Sequence, residues 1–190
     1  MRDAVAVRLL DDADDRLVER LAGLVNQVYA ATEGDLWQPG TLRTTAAEVA
    51  GLVAAGRIAV AVLGAEAVGC VQVRDVAAGV GEFGMLAAAP EHRGAGIGRA
   101  LVGFAERRAR ARRLRAMRLE LLVPREGRLP HKEFLKAWYE RLGYELVGTT
   151  SVAEVHPHLA ALQAVPCAVL RYEKPLVSDR AGTAPRPAGW

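Results

Sequence analysis

The sequence predicts a mixed α/β domain, with helices interrupting antiparallel hairpins around one twisted sheet of about seven strands. Three observations carry this. Val-rich runs of strand length at 57–63 and 67–76, and a third strand-length segment at 82–89, are separated by glycine breaks. Segments with apolar residues at helical spacing stand between or after such runs. A glycine-rich turn, residues 93–98, joins the end of one strand to the start of one helix.

In chain order, Val5, Val7 and Leu9 alternate as a first strand. Asp11, Asp12, Asp14 and Asp15 supply capping groups and favourable charge for a helix whose Leu17, Leu21, Leu24, Val25 and Val28 share a face, running to Tyr29 or Ala30. Residues 32–39 read as a loop with one large aromatic, Trp37. A shorter helix spans Thr45 to Ala55 and stops at Gly56. Residues 57–63 and 67–76 form a hairpin about Gly64-Ala65-Glu66, and Glu82 to Ala89 adds a third strand that Pro90 ends. After the glycine-rich turn, Leu101, Val102, Ala105 and Ala109 line one helical face. Met117, Leu119, Leu121 and Val123 mark the next strand, and Phe134, Leu135, Trp138 and Leu142 a helix that Gly143 terminates. Tyr144–Thr150 and Val165–Tyr172 close the series, giving the order βααβββαβαββ.

Composition sets the outer limits. Hydrophobic residues are 51% of 190, enough for a full core in one domain and too many for a disordered chain. Residues 1–175 are read as that domain, and 176–190, rich in Ser, Asp, Arg, Gly, Thr, Ala and Pro, as a mobile tail. The longest apolar runs, such as Ile58–Leu63, fall short of a bilayer span, and Met1–Leu10 carries no signal-peptide pattern, so a cytoplasmic protein without membrane contact is expected. Cys70 and Cys167 both lie in apolar runs and are expected as buried free thiols. A net charge of +3 suits an anionic ligand without implying nucleic acid.

The segment from Arg93 to Arg99 is the most informative. Gly94, Gly96 and Gly98 permit positive φ and close approach, so several N–H groups converge on one anion beside a helix N-terminus. A Walker loop is excluded, because the three lysines, Lys132, Lys136 and Lys174, all lie elsewhere. The dinucleotide fingerprint fails as well: the spacing is G-x-G-x-G, with Arg99 where its third glycine belongs.

Arg93-Gly94-Ala95-Gly96-Ile97-Gly98 resembles the acyl-CoA motif of the GCN5-related N-acetyltransferases, Q/R-x-x-G-x-G/A. Met85 to Pro90 resembles the strand that precedes it in that family, and the element order matches over residues 4–174. The resemblance implies acetyl-CoA as co-substrate and no metal. It further implies a sheet splayed between its fourth and fifth strands, with helices on both faces. It places the amides of Arg93, Gly94, Ala95, Gly96, Ile97, Gly98 and Arg99 around the pyrophosphate, and the backbone of Leu86 and Ala87 along the pantetheine arm. A bulge in that strand opens the slot for the thioester. The family often dimerises, so a homodimer is an expected arrangement.

Acetyl transfer requires a neutral amine, a polarised carbonyl and a proton for the departing thiolate. Trp138-Tyr139-Glu140-Arg141-Leu142-Gly143-Tyr144 is similar to the family signature F/W-Y-x-x-x-G-F/Y, which makes Tyr139 the general acid. Glu82, at the start of the cofactor-bearing strand, is the leading candidate base; the alternative is an exposed strand-end carboxylate. Glu82, Gly84 and Leu86 share a face until a bulge intervenes. Glu120 on the neighbouring strand is the reserve base. Many relatives carry, seven residues before the tyrosine, an asparagine that bonds the cofactor arm; this chain has Lys132 there, so either the arm is held differently, or Lys132 meets the cofactor's phosphates, or His131 and Lys132 simply begin a solvated helix.

Tyr29, Trp37, Glu120 and His156 are candidate acceptor contacts. His156-Pro157-His158 lacks companions at metal-ligand spacing. The arginines at 107, 108, 110, 112, 113 and 115 are interleaved with alanine, not aromatics, which reads as a solvated helical face and not a nucleic-acid surface. The expected function is acetyl transfer to a primary amine in a ternary complex, and the alternative is a non-catalytic acyl-CoA sensor on the same fold.

Overall fold

A computed structural model describes residues 4–176, and each regular element in it has a local cause. Strand β1 (Ala6–Leu9) leads to Asp14, whose carboxylate accepts from the Leu17 amide and starts α1 (Asp15–Glu33). The helix runs past the expected end at Tyr29 or Ala30 to Glu33, and a 3-10 turn, Gly34–Leu36, follows where a loop was expected. Thr45 and Glu48 form a reciprocal capping box that starts α2 (Ala46–Ala54). Strands β2 (Ile58–Leu63), β3 (Glu66–Ala77) and β4 (Val80–Ala88) form the predicted antiparallel meander. A 3-10 turn, Pro90–His92, precedes α3 (Ile97–Ala111). Then come β5 (Ala116–Pro124), α4 (Pro130–Arg141), β6 (Glu145–Ser151), the short helices α5 (Val152–Val155) and α6 (Pro157–Ala160), and β7 (Cys167–Pro175).

The seven strands form one sheet in the order β1-β2-β3-β4-β5-β7-β6. Every neighbouring pair is antiparallel except β4 and β5. That parallel pair is short: Val80↔Ala116, Gly81↔Met117 and Glu82↔Arg118. Beyond it β4 stays with β3 as far as Ala88, whereas β5 stays with β7 to its end at Pro124, and the sheet forks. The cause lies in β4. Between the pairs Cys70↔Ala87 and Gln72↔Gly84, β3 has one residue and β4 has two. Met85 absorbs the extra residue with φ 48. The bulge also resets which way side chains point: Phe83 belongs to one core cluster, Met85 and Ala87 to the opposite one. Leu86 therefore leaves the face that Glu82 and Gly84 share.

Helices cover both faces. Leu21, Val25, Val49 and Val53 from α1 and α2 pack with Val60, Cys70, Met85 and Ala87. Leu101, Ala105 and Ala109 of α3, with Tyr139 of α4, pack with Val71, Phe83 and Leu119 on the other face. A third apolar cluster, Leu36, Val152, Cys167 and Val169, joins the segment after α1 to the β6–β7 connection. Backbone bonds seal that join: Trp37 bridges to Gln163, the Gln38 amide donates to the Leu162 carbonyl at 2.8 Å, and the Ala164 amide to the Leu36 carbonyl at 2.9 Å. Cys70 and Cys167 are buried and free. Of the expected tail, Leu176 is buried against the core, and 177–190 lie outside the described residues.

Candidate active site

The glycine-rich turn becomes a cradle through its backbone. Gly94 and Gly96 adopt φ of 87° and 80°, and a Cβ at either would meet nothing within 4 Å. Gly96 is the N-cap of α3 and offers no side chain to the first turn. The Arg93 and Ala95 amides are used locally, donating to the Pro90 and His92 carbonyls at 3.1 Å each. Among the described residues, the amides of Gly94, Gly96, Ile97, Gly98 and Arg99 have no such partner outside the helix, and the first intrahelical bond is from Ala100 to the Gly96 carbonyl. Unpaired donors at a helix N-terminus, beside open space, are the physical requirement for holding a diphosphate. Two of the seven amides expected in the cradle are thus occupied.

The cradle opens toward the fork through close packing. A Cβ on Gly69 of β3 would lie 2.7 Å from Ile97 Cγ2 and 2.8 Å from the Ala87 carbonyl oxygen, so glycine there lets the first turn of α3 sit down on the sheet. A Cβ on Gly98 would lie 3.5 Å from Trp138 Cη2, so glycine there leaves the indole room between α3 and α4. Beyond Glu82 the edge of β4 that faces β5 has no strand partner, which leaves the backbone about Leu86 and Ala87 free along that edge.

Tyr139 lies in the core on α4, with its ring centroid 6.0 Å from Phe83, 4.9 Å from Trp138 and 6.1 Å from Tyr144. No hydrogen bond ties its hydroxyl to another described residue. Burial, with Tyr29 and Glu33 adding to it, pushes the phenol far above the ordinary tyrosine range, so it stays protonated and has a proton to donate.

The carboxylates differ from each other. Glu82 is 7% exposed, and Arg74 on β3 grips its Oε1 through Nε at 2.9 Å and Nη2 at 2.5 Å. It stands at the root of the fork, where β4 and β5 are still paired. The exposed strand-end alternative does not hold for it. Glu120 is two residues past that last pair, on the same sheet face. Its Oε2 meets His156 Nε2 at 3.0 Å, and its Oε1 accepts from Arg171 Nη2 at 3.1 Å. The His156 hydrogen bond, helped by Arg171, holds this carboxyl below the ordinary range against the opposing effect of burial. Across the fork is Gly84, where an added Cβ would meet nothing within 4 Å. Glu120 and His156 thus border open space that Glu82, in Arg74's grip, reaches less directly.

Lys132 is neither solvated nor aimed at a phosphate. It is 1% exposed, and its ammonium pairs with Glu33, the last residue of α1. The Trp37 indole N–H donates to the other Glu33 oxygen at 3.3 Å. Helix α1 covers one face of the sheet and α4 the other, so this bridge crosses where the fork leaves no β4–β5 pairing between the faces. Tyr29, in the penultimate turn of α1, approaches the same place; burial raises its phenol to about 12, opposed by Arg43, whose guanidinium lies 5.1 Å from the ring centroid. The fold thus gathers Tyr29, Glu33, Lys132 and Tyr139 at the fork, with Glu120 and His156 at one of its edges and Trp37 in the segment after α1. Glu33 is the group that sequence reading missed, because its partner is 99 residues away.

Residues 54–146, from the end of α2 to the start of β6, match the acetyltransferase (GNAT) domain family. No curated protein matches the chain. Among solved structures, an aminoglycoside 6'-N-acetyltransferase complexed with coenzyme A is 18% identical, covering 91% of this chain and 98% of its own, with a TM-score of 0.68. A ribosomal-protein-alanine N-acetyltransferase from Brucella melitensis is 19% identical over 90% of this chain and 99% of its own, with a TM-score of 0.63. An N-acetylglutamate synthase from Neisseria gonorrhoeae, complexed with coenzyme A and N-acetyl-glutamate, is 15% identical over 94% of this chain and 36% of its own, at 0.64. The domain match takes in the cradle, the bulged strand and the Tyr139 helix together, so residues 54–146 form an acetyltransferase (GNAT) domain.

Proposed function

We propose that this chain transfers the acetyl group of acetyl-CoA directly to a primary amine, with both substrates bound at once. The observation that carries the reading is the set of unpaired amides at Gly94, Gly96, Ile97, Gly98 and Arg99, beside a parallel strand pair that ends after three residues. The cradle holds an anion, and the fork admits a narrow arm from the α3–α4 face toward the opposite one. Bound acetyl-CoA would supply an activated acetyl group there; the chain supplies position and protons.

On the cofactor side, Tyr139 donates a proton to the departing sulfur. Its raised pKa does not disqualify it, because a thiolate leaving into the same buried fork is raised by the same desolvation. On the acceptor side, the Glu120–His156 pair is the better-placed base. With His156 Nε2–H donating to Glu120, Nδ1 carries the lone pair that accepts a proton from the amine. Glu82 then acts as the clamped root of the fork, with Arg74 and Arg118 on either side.

The acceptor is a primary amine; among the structural neighbours are enzymes named for an aminoglycoside, a ribosomal-protein alanine and N-acetylglutamate synthesis. Thiol release from acetyl-CoA, measured over aminoglycosides, amino acids, polyamines and peptide N-termini, tests the reading. Turnover with one class establishes it. Tight acetyl-CoA binding with no thiol release for any class would identify a sensor instead. None of the described helices is long and apolar enough to cross a membrane.

A further inference from the structure

Helix α3 has the cradle at its N-terminus and a second cavity beside its C-terminal half. That cavity holds about 260 Å³ between α3, the turn from α2 into β2, the end of β3 and the root of the fork. Four arginines and two carboxylates line it. Both carboxylates are taken: Arg112 Nη2 donates to Asp75 at 2.7 Å, and Arg74 grips Glu82. Arg57 and Arg108 line the same space with no carboxylate at ion-pair distance among the described residues. Arg108 Nη2 reaches only the Gly56 carbonyl, at 3.5 Å. We propose that this cavity binds a small dianion, a phosphate monoester or a short dicarboxylate, between the guanidinium groups of Arg57 and Arg108. The proposal is independent of acetyl transfer and adds a second anion site to the chain.

The end of the helix explains only part of this charge. Cations in the last turn of α3 offset the negative end of the helix dipole, which accounts for Arg108 and Arg110. Arg57 stands on a different element, one residue before β2, and adds its charge to the same cavity. Its backbone is fixed on both sides: the amide donates to the Leu52 carbonyl at 2.9 Å, and the carbonyl accepts from the Val73 amide at 2.8 Å. The second guanidinium is therefore anchored to a wall other than the helix. Two like charges that share one cleft repel each other. An anion between them removes that repulsion and gains a charge-assisted hydrogen bond from each.

Size and lining narrow the ligand. The volume falls just under the range of about 300–1,000 Å³ usual for drug-sized molecules, so the ligand is small. Val73, Ala105, Ala109 and Met117 give the cavity an apolar floor that suits a short carbon body. Guanidinium forks match the paired oxygens of a carboxylate or a phosphate, and two unpaired forks match two negative charges. Gly81 and Met117, partners in the short parallel contact of β4 with β5, both line the cavity, so a dianion bound there rests against the root of the fork.

The test is calorimetry with inorganic phosphate and with succinate, each titrated into the full chain with and without coenzyme A. The expected result is binding of at least one of them at a single site whether or not coenzyme A is present, weakening as salt is raised. Preference for phosphate identifies a phosphate ester as the ligand, and preference for succinate a dicarboxylate. Arg57→Gln and Arg108→Gln should each weaken that binding by about tenfold or more, while coenzyme A affinity stays within about twofold. Arg57→Lys, which keeps the charge and loses the fork, should fall between Arg57→Gln and the unsubstituted chain. Binding of neither probe, binding that coenzyme A displaces, or binding unchanged in both glutamine variants would overturn the proposal.

Discussion

Gly96 and Tyr139 do opposite kinds of work, and single substitutions separate them. Gly96 has φ 80, a conformation that β-branched residues avoid, and its missing side chain leaves the space beside the free amides open. Gly96→Val should therefore abolish acetyl-CoA binding in calorimetry, and wild-type affinity would place the diphosphate elsewhere. Tyr139 is protonated, buried and without a hydrogen-bond partner among the described residues, so if it acts as the proposed acid, its loss is felt in the transition state more than in the ground state. Tyr139→Phe should lower kcat by about 100-fold while acetyl-CoA affinity stays within about twofold. Gly69 is a steric case. With Ile97 Cγ2 and the Ala87 carbonyl under 3.0 Å from any Cβ, Gly69→Ala should cost about 1–3 kcal/mol in denaturant titration and weaken cofactor binding by lifting the start of α3.

Among the elements, α1 and α4 are tied by Glu33–Lys132, a contact that two-helix packing does not supply. Removing one partner leaves the other charge buried and alone. Glu33→Leu and Lys132→Met should each destabilise the fold by about 3–5 kcal/mol, and the double variant should recover most of that loss in a double-mutant cycle. Additive losses would mean the two side chains are solvated in solution. This tie also marks the limit of sequence reading. The order of the major strands and helices was legible because periods of two and 3.6 persist over each element, and the cradle because Gly94 and Gly96 sit at the αL positions its turn requires. The end of α1 was not, since Ala31, Thr32 and Glu33 carry no apolar periodicity. Helices α5 and α6, four residues each, are too short to show a period. The bulge at Met85 sends Leu86 to the opposite face from Glu82, and Arg74's grip on Glu82 depends on a cross-strand register that composition does not encode.

At the scale of the whole molecule, the buried proton-bearing groups set an alkaline limit to stability. Cys70 is raised by burial to about 12, and Tyr29 by burial to about 12. Tyr139 and Tyr144 go further in the same direction, Tyr144 through burial and then the Glu106 carboxylate, whose Oε1 accepts its hydroxyl at 3.0 Å. Each is neutral in the folded chain over a range where its unfolded counterpart has already ionised, so the folded state holds more protons there and stability falls with rising pH. The loss begins near the unfolded values, about 9 for the thiol and about 10 for the phenols, and continues up to the raised folded ones. Glu120 works from the other side: its lowered pKa contributes stability above the ordinary glutamate range, and this contribution disappears as acid protonates it. The melting temperature should thus be flat about neutrality, decline in acid and drop most steeply above pH ~10, where several groups act together. Tyr144→Phe removes one of those groups, at the expense of the hydrogen bond to Glu106, and should flatten the alkaline limb even though it lowers the plateau. An alkaline slope equal to that of the unsubstituted chain would show that Tyr144 ionises in the folded protein as readily as in the unfolded one.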